Sequence, residues 1–299
     1  MVKTEAGIPS NLRRIFFEKD NTIRVIGNNY MSAHNILEYC DIPVLTKLEL
    51  IGNDAFANCS KLVLNSLPNT ITKIDNRAFY NCQLITINKL PNNLEEMGTQ
   101  TFAGCIGIKE LELNNTQLLL LPDYAFSGCT NLKIKNETID CLIEEVGSYT
   151  FENCSSLVLN FDDIDSANRL KKIGYYGFGG TPALNLRNLP SSIAEIGGQG
   201  FSSVNGAGGL LTCNIIPKTV TKLGSAAFMF RKLADENMGI LIIENPNIQI
   251  DELALWYLSG VTEIWVPKTV DLNSAPWNSE TCFGCTTSSP GVVIKHNPT

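Results

Sequence analysis

Histidine is nearly absent from this chain, which has only His34 and His296 among its 299 residues. The sequence therefore offers little for acid–base catalysis by a histidine. It also has no Gly-x-Ser-x-Gly nucleophile elbow, no Walker loop ending in Gly-Lys-Ser/Thr and no His-Glu-x-x-His zinc motif. We expect a protein that is not an enzyme, with no catalytic residue, metal or cofactor.

Long basic runs and long apolar runs are missing as well. The net charge is −7, and no basic stretch exceeds the pairs Arg13-Arg14 and Lys171-Lys172, so the sequence lacks the basic patch of a nucleic-acid-binding protein. No apolar run is long enough to cross a bilayer. The start, MVKTEAGIPS, lacks the apolar stretch of a secretory signal. Either the protein stays where it is made, or the sequence is a mature or trimmed piece.

A phenylalanine recurs along most of the chain at intervals of 23, 23, 24, 25, 27, 23 and 27 residues. Self-similarity at this period indicates a repeat array, in which each unit contacts only its neighbours. Two globular domains, which the length alone suggests, are therefore not expected. The recurring residues are Phe56, Phe79, Phe102, Phe126, Phe151, Phe178, Phe201 and Phe228.

Each repeat follows one pattern. An aliphatic residue is followed directly by Gly or Asp, and the repeat Phe comes five positions after the aliphatic residue. Cys follows three positions after Phe. Leu or Ile, a short alternating apolar stretch and often Leu-Pro complete the repeat. The alternation, as in Leu62-x-Leu64 and Ile264-x-Val266, predicts a strand. The segment around Phe suits one helical or 3₁₀ turn with Phe and Cys pointing inward.

Degenerate copies extend the array at both ends, at 26–31 and 250–255. Terminal repeats of a solenoid are atypical because they shield the core from water. We therefore expect an N-terminal cap over 1–25, about ten repeats of 23–27 residues over 26–267, and a C-terminal cap over 268–299.

Five of the ten cysteines lie three residues after a repeat phenylalanine. Stacked parallel strands lie about 4.7–4.9 Å apart, whereas a disulfide needs Cβ atoms about 3.8 Å apart, and zinc needs ligands that converge on one point. The pattern therefore predicts a ladder of buried thiols, and later repeats replace Cys with Thr181, Val204, Arg231 and Leu258. The five are Cys59, Cys82, Cys105, Cys129 and Cys154.

Three other clusters have two interpretations each. Cys282 and Cys285 form a lone Cys-x-x-Cys, for which a local disulfide or free thiols are favoured over a metal or redox site. Asp162, Asp163 and Asp165 suit a solvated loop better than a calcium site. The glycines of 197–200 and 206–209 are interpreted as a flexible insertion and not as a phosphate-binding loop.

The strand face is the best candidate for a binding surface, because outward side chains align from one repeat to the next. The alternative is that these side chains only make the sheet soluble. A second aromatic group, Trp256, Tyr257 and Trp277 together with Trp265, is favoured as a lid for the C-terminal end over a sugar-stacking site. The candidate binding residues are Glu110, Glu112, Lys133, Lys135, Arg187, Glu263 and Trp265.

The phrase Ile-Gly-x-x-Ala-Phe-x-x-Cys-x-x-Leu, as in 51–62, 121–132 and 146–157, resembles the BspA-like class of leucine-rich repeats. The likeness covers about 26 to 267. It implies an α/β repeat solenoid, a right-handed leucine-rich-repeat superhelix with a parallel β-sheet on one face and short helical or 3₁₀ turns opposite.

The resemblance also implies a function. Members are mainly bacterial surface or secreted proteins, so we expect a non-enzymatic binding or adhesion module, monomeric, extracellular or at the cell surface. Its partner would be a protein or cell-surface ligand, with a glycan as a further option. The alternatives are a phage tail or receptor-binding protein, located in the virion, and a carbohydrate-binding module. The irregular segment 203–209 matches no family motif, and no binding residue carries over.

Overall fold

The computed structural model describes residues 9, 11–18, 21–113, 116–137, 139, 142–159, 161, 169–204, 209–274, 276–277 and 292–298. The chain forms two compact units. Unit 1 comprises Met1–Ile143 and Thr150–Leu157, and unit 2 comprises Glu144–Tyr149 and Val158–Thr299. In each unit the chain runs in successive coils, or rungs, that pair through short parallel strands.

Unit 1 contains a four-stranded parallel sheet in the order β2-β4-β5-β6 and two pairs, β1-β3 and β7-β9. In the larger sheet the registered partners Ile26, Ile51 and Ile74 occupy the same repeat position and are buried. The strands of unit 1 are β1 (Arg14–Ile15), β2 (Val25–Ile26), β3 (Tyr39–Cys40), β4 (Leu50–Ile51), β5 (Lys73–Ile74), β6 (Glu96–Met97), β7 (Glu110–Leu111), β8 (Leu120–Leu121) and β9 (Lys133–Ile134).

In unit 2, five strands pair in the order β10-β11-β12-β15-β18, four in the order β14-β17-β19-β20, and β13 pairs with β16. All these pairs are parallel. The strands are β10 (Glu145–Val146), β11 (Lys172–Ile173), β12 (Glu195–Ile196), β13 (Leu210–Leu211), β14 (Ile215–Ile216), β15 (Lys222–Leu223), β16 (Lys232–Leu233), β17 (Ile240–Ile243), β18 (Gln249–Ile250), β19 (Glu263–Val266) and β20 (Val293–His296).

Helix is scarce in the described residues. Three 3₁₀ segments of three residues each occur, at Ile42–Val44, Lys135–Glu137 and Asp235–Asn237. No helix in this described part has the length and apolar character that a membrane span requires.

The predicted strand after the repeat Leu or Ile is present at Glu110–Leu111, Lys133–Ile134 and Glu263–Val266. At Val63 and Leu186 it is reduced to isolated bridges, and residues 85–87 and 157–159 form no strand. A longer ladder of strands, which the sequence analysis did not predict, lies immediately before the repeat Gly or Asp. Its members are two residues long, too short to show an alternating pattern.

The segments around the repeat phenylalanines are turns of alternating backbone conformation. The N–H of Phe56 bonds across to Ala78 O of the next rung at 2.8 Å, whereas Ala57 N bonds back to Asp54 O at 3.1 Å. Asp54 and Asn58, two residues before and after Phe56, have φ of 52° and 63°. This left-handed conformation favours glycine and asparagine. In three repeats the second such position is glycine, at Gly104, Gly128 and Gly180.

Close backbone approach, and not flexibility, explains the glycine at position 197. A Cβ there would lie 2.7 Å from the carbonyl carbon of Gly174 on the preceding rung, so no side chain fits. The interpretation of 197–200 as a flexible insertion is therefore wrong, because these residues directly follow β12, bond to the preceding rung and form the turn before Phe201. Residues 205–208 lie outside the described part of the chain.

Stacked phenylalanines form the centre of each unit. In unit 1, successive ring centroids from Phe56 to Phe151 are 5.5, 5.4, 5.7 and 5.6 Å apart, with planes within 8° of parallel. In unit 2, Phe178, Phe201 and Phe228 are spaced at 5.4 and 5.9 Å. All these rings are fully buried. The prediction that the repeat phenylalanine fills the inside of each coil is confirmed.

Candidate functional site

The five-stranded sheet of unit 2 presents a row of alternating charge to the outside. Its registered members are Glu145, Lys172, Glu195, Lys222 and Gln249. The Nζ atom of Lys172 lies 2.7 Å from Glu145 Oε1, and Lys171 Nζ lies 2.8 Å from Glu144 Oε2. The hydrogen bond from Lys171 lowers the pKa of Glu144. Because neighbouring charges neutralise one another, this row suits a solvated face better than a binding face.

The four-stranded sheet β14-β17-β19-β20 has a different outward face. Its inner side chains, including Leu241, Ile243, Ile264 and Val266, are buried in the core. Its outer side chains are not charged in alternation. Ile215, Ile242 and Trp265 follow one another in register on β14, β17 and β19, and we call these three residues the Trp265 row.

The indole of Trp265 is held in place by its own strand. Its Nε1–H donates to Glu263 Oε2 at 2.8 Å, and Lys295 Nζ donates to Glu263 Oε1 at 2.6 Å. These hydrogen bonds, that of Lys295 first, lower the pKa of Glu263. Because the N–H is already satisfied, the half-buried ring offers chiefly apolar contact area to a partner.

Four of the predicted binding residues lie together in unit 1, on β7, on β9 and in the residues that follow them. Glu110 and Lys133 are registered partners, and Lys135 Nζ lies 2.9 Å from Glu112 Oε2. The hydrogen bond with Glu112 raises the pKa of Lys135. This patch neutralises itself like the alternating row.

The remaining predicted binding residues, Glu263, Trp265 and Arg187, lie in unit 2. Arg187 is exposed at the edge of a cavity of about 450 Å³ that Ile215 also lines. Trp277, from the C-terminal aromatic group, is buried, whereas Trp256 and Tyr257 are partly exposed with ring centroids 4.5 Å apart.

Sequence reasoning missed Ile215 and Ile242 as surface residues. The run Ile240–Ile243 contains four consecutive apolar residues, of which Ile240 and Ile242 are only half-buried. A strand with one solvated face usually alternates apolar and polar residues. A strand whose outer positions are as apolar as its inner ones therefore signals an apolar outer surface. The alternation of Ile264 and Val266 reveals only the inner half of such a strand.

The ladder cysteines are free and buried. Each thiol of Cys82, Cys105, Cys129 and Cys154 donates to the carbonyl of an earlier repeat phenylalanine, at 3.0–3.1 Å. Burial raises the pKa of Cys59 and Cys129 to about 12. The prediction of a ladder of buried thiols is confirmed for these residues.

We expect the ladder thiols to react with iodoacetamide at pH 8 more than about tenfold slower than the same thiols in denaturant, because burial suppresses the reactive thiolate. Peptide mapping by mass spectrometry measures each site separately. Labelling of Cys82 or Cys105 in the native protein at the denatured rate would contradict this protection.

Within the described residues no three His, Cys, Asp or Glu side chains are grouped so that they could hold a metal ion. The acidic stretch from Asp162 to Asp165 and the pair Cys282 and Cys285 lie outside those residues. Their two interpretations therefore stay open.

Repeated rungs, parallel strands and a stacked aromatic core define a leucine-rich-repeat solenoid. The model of the BspA-type leucine-rich repeat region matches residues 24–158 and 158–274 in six copies. The chain belongs to the BspA-type leucine-rich repeat family. No curated protein matches the chain.

Two solved bacterial structures are similar to the chain. A leucine-rich repeat protein from Bacteroides ovatus ATCC 8483 is 19% identical with a TM-score of 0.58, over 95% of this chain and 61% of that one. The pneumococcal vaccine antigen PcpA is 19% identical with a TM-score of 0.52, over 94% of this chain and 68% of that one. The chain thus spans less than two thirds of the Bacteroides protein, and likeness at this identity shows the fold.

Proposed function

We propose that this chain is a non-enzymatic binding module that attaches to a protein ligand through the outer face of β14-β17-β19-β20. The observation that carries the proposal is the contrast between two sheet faces of unit 2. One face bears the self-neutralised row of Glu and Lys, and the other bears Ile215, Ile242 and Trp265 in register.

The Trp265 row has the properties of an interface centre. Aromatic anchors in such centres contribute a large share of binding energy, and charged residues are depleted there. The side chain of Ile215 is apolar, yet 42% of its surface is exposed to solvent and is thus accessible to a partner. The β-sheet backbone and the hydrogen bond to Glu263 fix the row before a partner arrives, which reduces the entropy lost on binding.

We further propose that the protein acts in adhesion, outside the bacterial cell or at its surface. The support is the family assignment together with one relative, PcpA, which is described as a vaccine antigen. A rigid array of rungs that presents an aligned row of side chains suits contact with another surface, because the partner meets a preformed face.

The test is a screen of the purified chain against an array of secreted and cell-surface ectodomains, with a glycan array in parallel. We expect a protein hit whose dissociation constant rises about tenfold or more in Trp265→Ala, as for an aromatic hot spot. Surface plasmon resonance with the hit measures the change.

The matched control is Trp256→Ala, which removes a 37%-exposed indole outside the four-stranded sheet, and we expect it to leave the affinity unchanged. A protein hit that Trp265→Ala does not weaken would contradict the proposed surface. A glycan hit that depends on Trp265, without any protein hit, would favour the carbohydrate-binding alternative instead.

A further inference from the structure

We propose that the cavity beside Arg187 receives a carboxylate of the protein partner, from an aspartate or glutamate that is followed or preceded by apolar side chains. This inference rests on the proposed function, since it names the chemistry that the partner brings to the sheet face. The cavity lies next to β14, the first strand of that sheet.

The lining of the cavity selects for negative charge. Its volume is about 450 Å³, and none of its nine described lining residues is acidic, although the chain carries a net charge of −7. Arg187 has neither a hydrogen bond nor an ion pair within the described part of the chain, in contrast to the paired lysines of the sheet faces. Its guanidinium is thus available to an outside anion.

A second guanidinium, that of Arg231, adds to the positive potential near the cavity. Arg231 is 1% exposed and donates to the carbonyls of Phe201, Leu184 and Thr181. No carboxylate is among these partners, so the buried charge is not neutralised by an ion pair there. Burial lowers the pKa of Arg231 to about 10, and the group therefore stays charged at neutral pH.

Cys213 connects this buried charge to the cavity. Cys213 is one of the lining residues. Burial raises the pKa of Cys213, and the nearby positive charge of Arg231 opposes this rise. The positive charge of Arg231 therefore acts near the cavity wall.

The apolar part of the lining points to a protein segment and not to a free anion. Leu189, Ile215 and Pro217 line the cavity together with Arg187. Ile215 is also the first member of the Trp265 row. A segment with a carboxylate at Arg187 would thus place its neighbouring apolar side chains against Ile215 and the row beyond it.

The chemistry is that of a charge-assisted hydrogen bond. A guanidinium presents two parallel N–H donors to a carboxylate, and such pairs are stronger and more directional than neutral hydrogen bonds. Asn214, which also lines the cavity, supplies a further polar side chain at the same place. An uncharged glutamine of the same length would not form the pair.

The test compares two capped peptides, acetyl-Leu-Glu-Leu-amide and acetyl-Leu-Gln-Leu-amide, by isothermal titration against the full chain. We expect the glutamate peptide to bind about tenfold more tightly, and the preference to weaken as salt is added. Arg187→Gln should abolish this preference. The control Arg169→Gln, which removes another exposed arginine of unit 2, should preserve it.

Equal affinity of the two peptides, or a preference that survives in Arg187→Gln, would overturn the proposal. If 3′-sialyllactose bound in a manner that depends on Arg187 and the two peptides bound equally, the ligand would be an acidic glycan and not a protein segment. This result would also overturn the proposal. Failure here leaves the proposed function intact if Trp265→Ala still weakens the protein hit. If the peptide result is as expected but Trp265→Ala has no effect, the anion site stands and the sheet face fails.

Discussion

Phe102→Ala is expected to lower the free energy of unfolding by about 3–5 kcal/mol. Phe102 is fully buried in unit 1, and its ring stacks on Phe79 at 5.4 Å and on Phe126 at 5.7 Å. Removal of the ring opens a cavity between the neighbouring rungs. These rungs cannot move together to fill it, because the hydrogen bonds between rungs fix the distance from one rung to the next. Denaturation in guanidinium chloride, followed by circular dichroism, measures the change.

The loss should also divide the stack. Repeats contact only their neighbours, so a weakened rung reduces the coupling between the rungs on either side. We therefore expect a broader unfolding transition as well as a lower midpoint. The slope of the free energy against denaturant, which reports the surface exposed in one cooperative step, should fall.

The control is Phe16→Ala in the same unit. Phe16 is 68% exposed. Within the described residues its one ring contact is with the partly exposed Tyr39, at a centroid distance of 5.4 Å. We expect a change within about 0.5 kcal/mol. If the two variants lost equal stability, or if Phe102→Ala lost less than about 1 kcal/mol, the stacked rings would not be the main support of the unit.

Arg231→Ala is expected to lower the free energy of unfolding by about 2–4 kcal/mol. Arg231 occupies the repeat position that other rungs give to cysteine, and its guanidinium reaches the carbonyls of three other residues as well as the hydroxyl of Thr181. Alanine would remove the donor to the buried carbonyls of Phe201 and Leu184 and leave the volume of the side chain empty. The release of a desolvated charge offsets only part of this loss.

Arg231→Lys distinguishes hydrogen bonding from charge. Lysine keeps the positive charge, but its compact ammonium cannot reproduce the planar fork of donors, so we expect it to recover only part of the stability. Arg169→Ala, at an exposed site, serves as the control and should change stability by less than about 0.5 kcal/mol. Chemical denaturation of the three variants checks this order, and an Arg231→Ala protein as stable as the parent would contradict it.

Inward positions were the easiest to predict. Phe56 and Cys59 recur because every coil has to fill the same interior, and their burial and that of their copies is confirmed. The left-handed position two residues before the phenylalanine escaped prediction, because residues as different as Asp54, Arg77 and Tyr124 occupy it. Hydrogen bonds between rungs impose the backbone at that position, whereas the position two residues after the phenylalanine is often the glycine or asparagine that the conformation favours.

Outward positions were predicted only in part. Trp265 was found because it alternates with Ile264 and Val266 in one strand. Ile215 and Ile242 were missed as its neighbours, since they are 50 and 23 residues away in sequence. Arg231 was noticed as a departure from the cysteine position, but its contacts with Thr181 and Leu184 span two or more repeats and leave no local signal.

The sequence by itself determined the repeat, the leucine-rich class and the buried ladder of thiols, because these depend on residues that face the same interior in every coil. The tertiary structure alone decided which outward side chains become neighbours. Registered residues on successive strands are 27, 23 and 30 positions apart from Ile215 to Lys295, so no constant interval identifies them. Unequal loops between the strands set that register, and it places charge beside charge on one sheet and isoleucine beside tryptophan on the other.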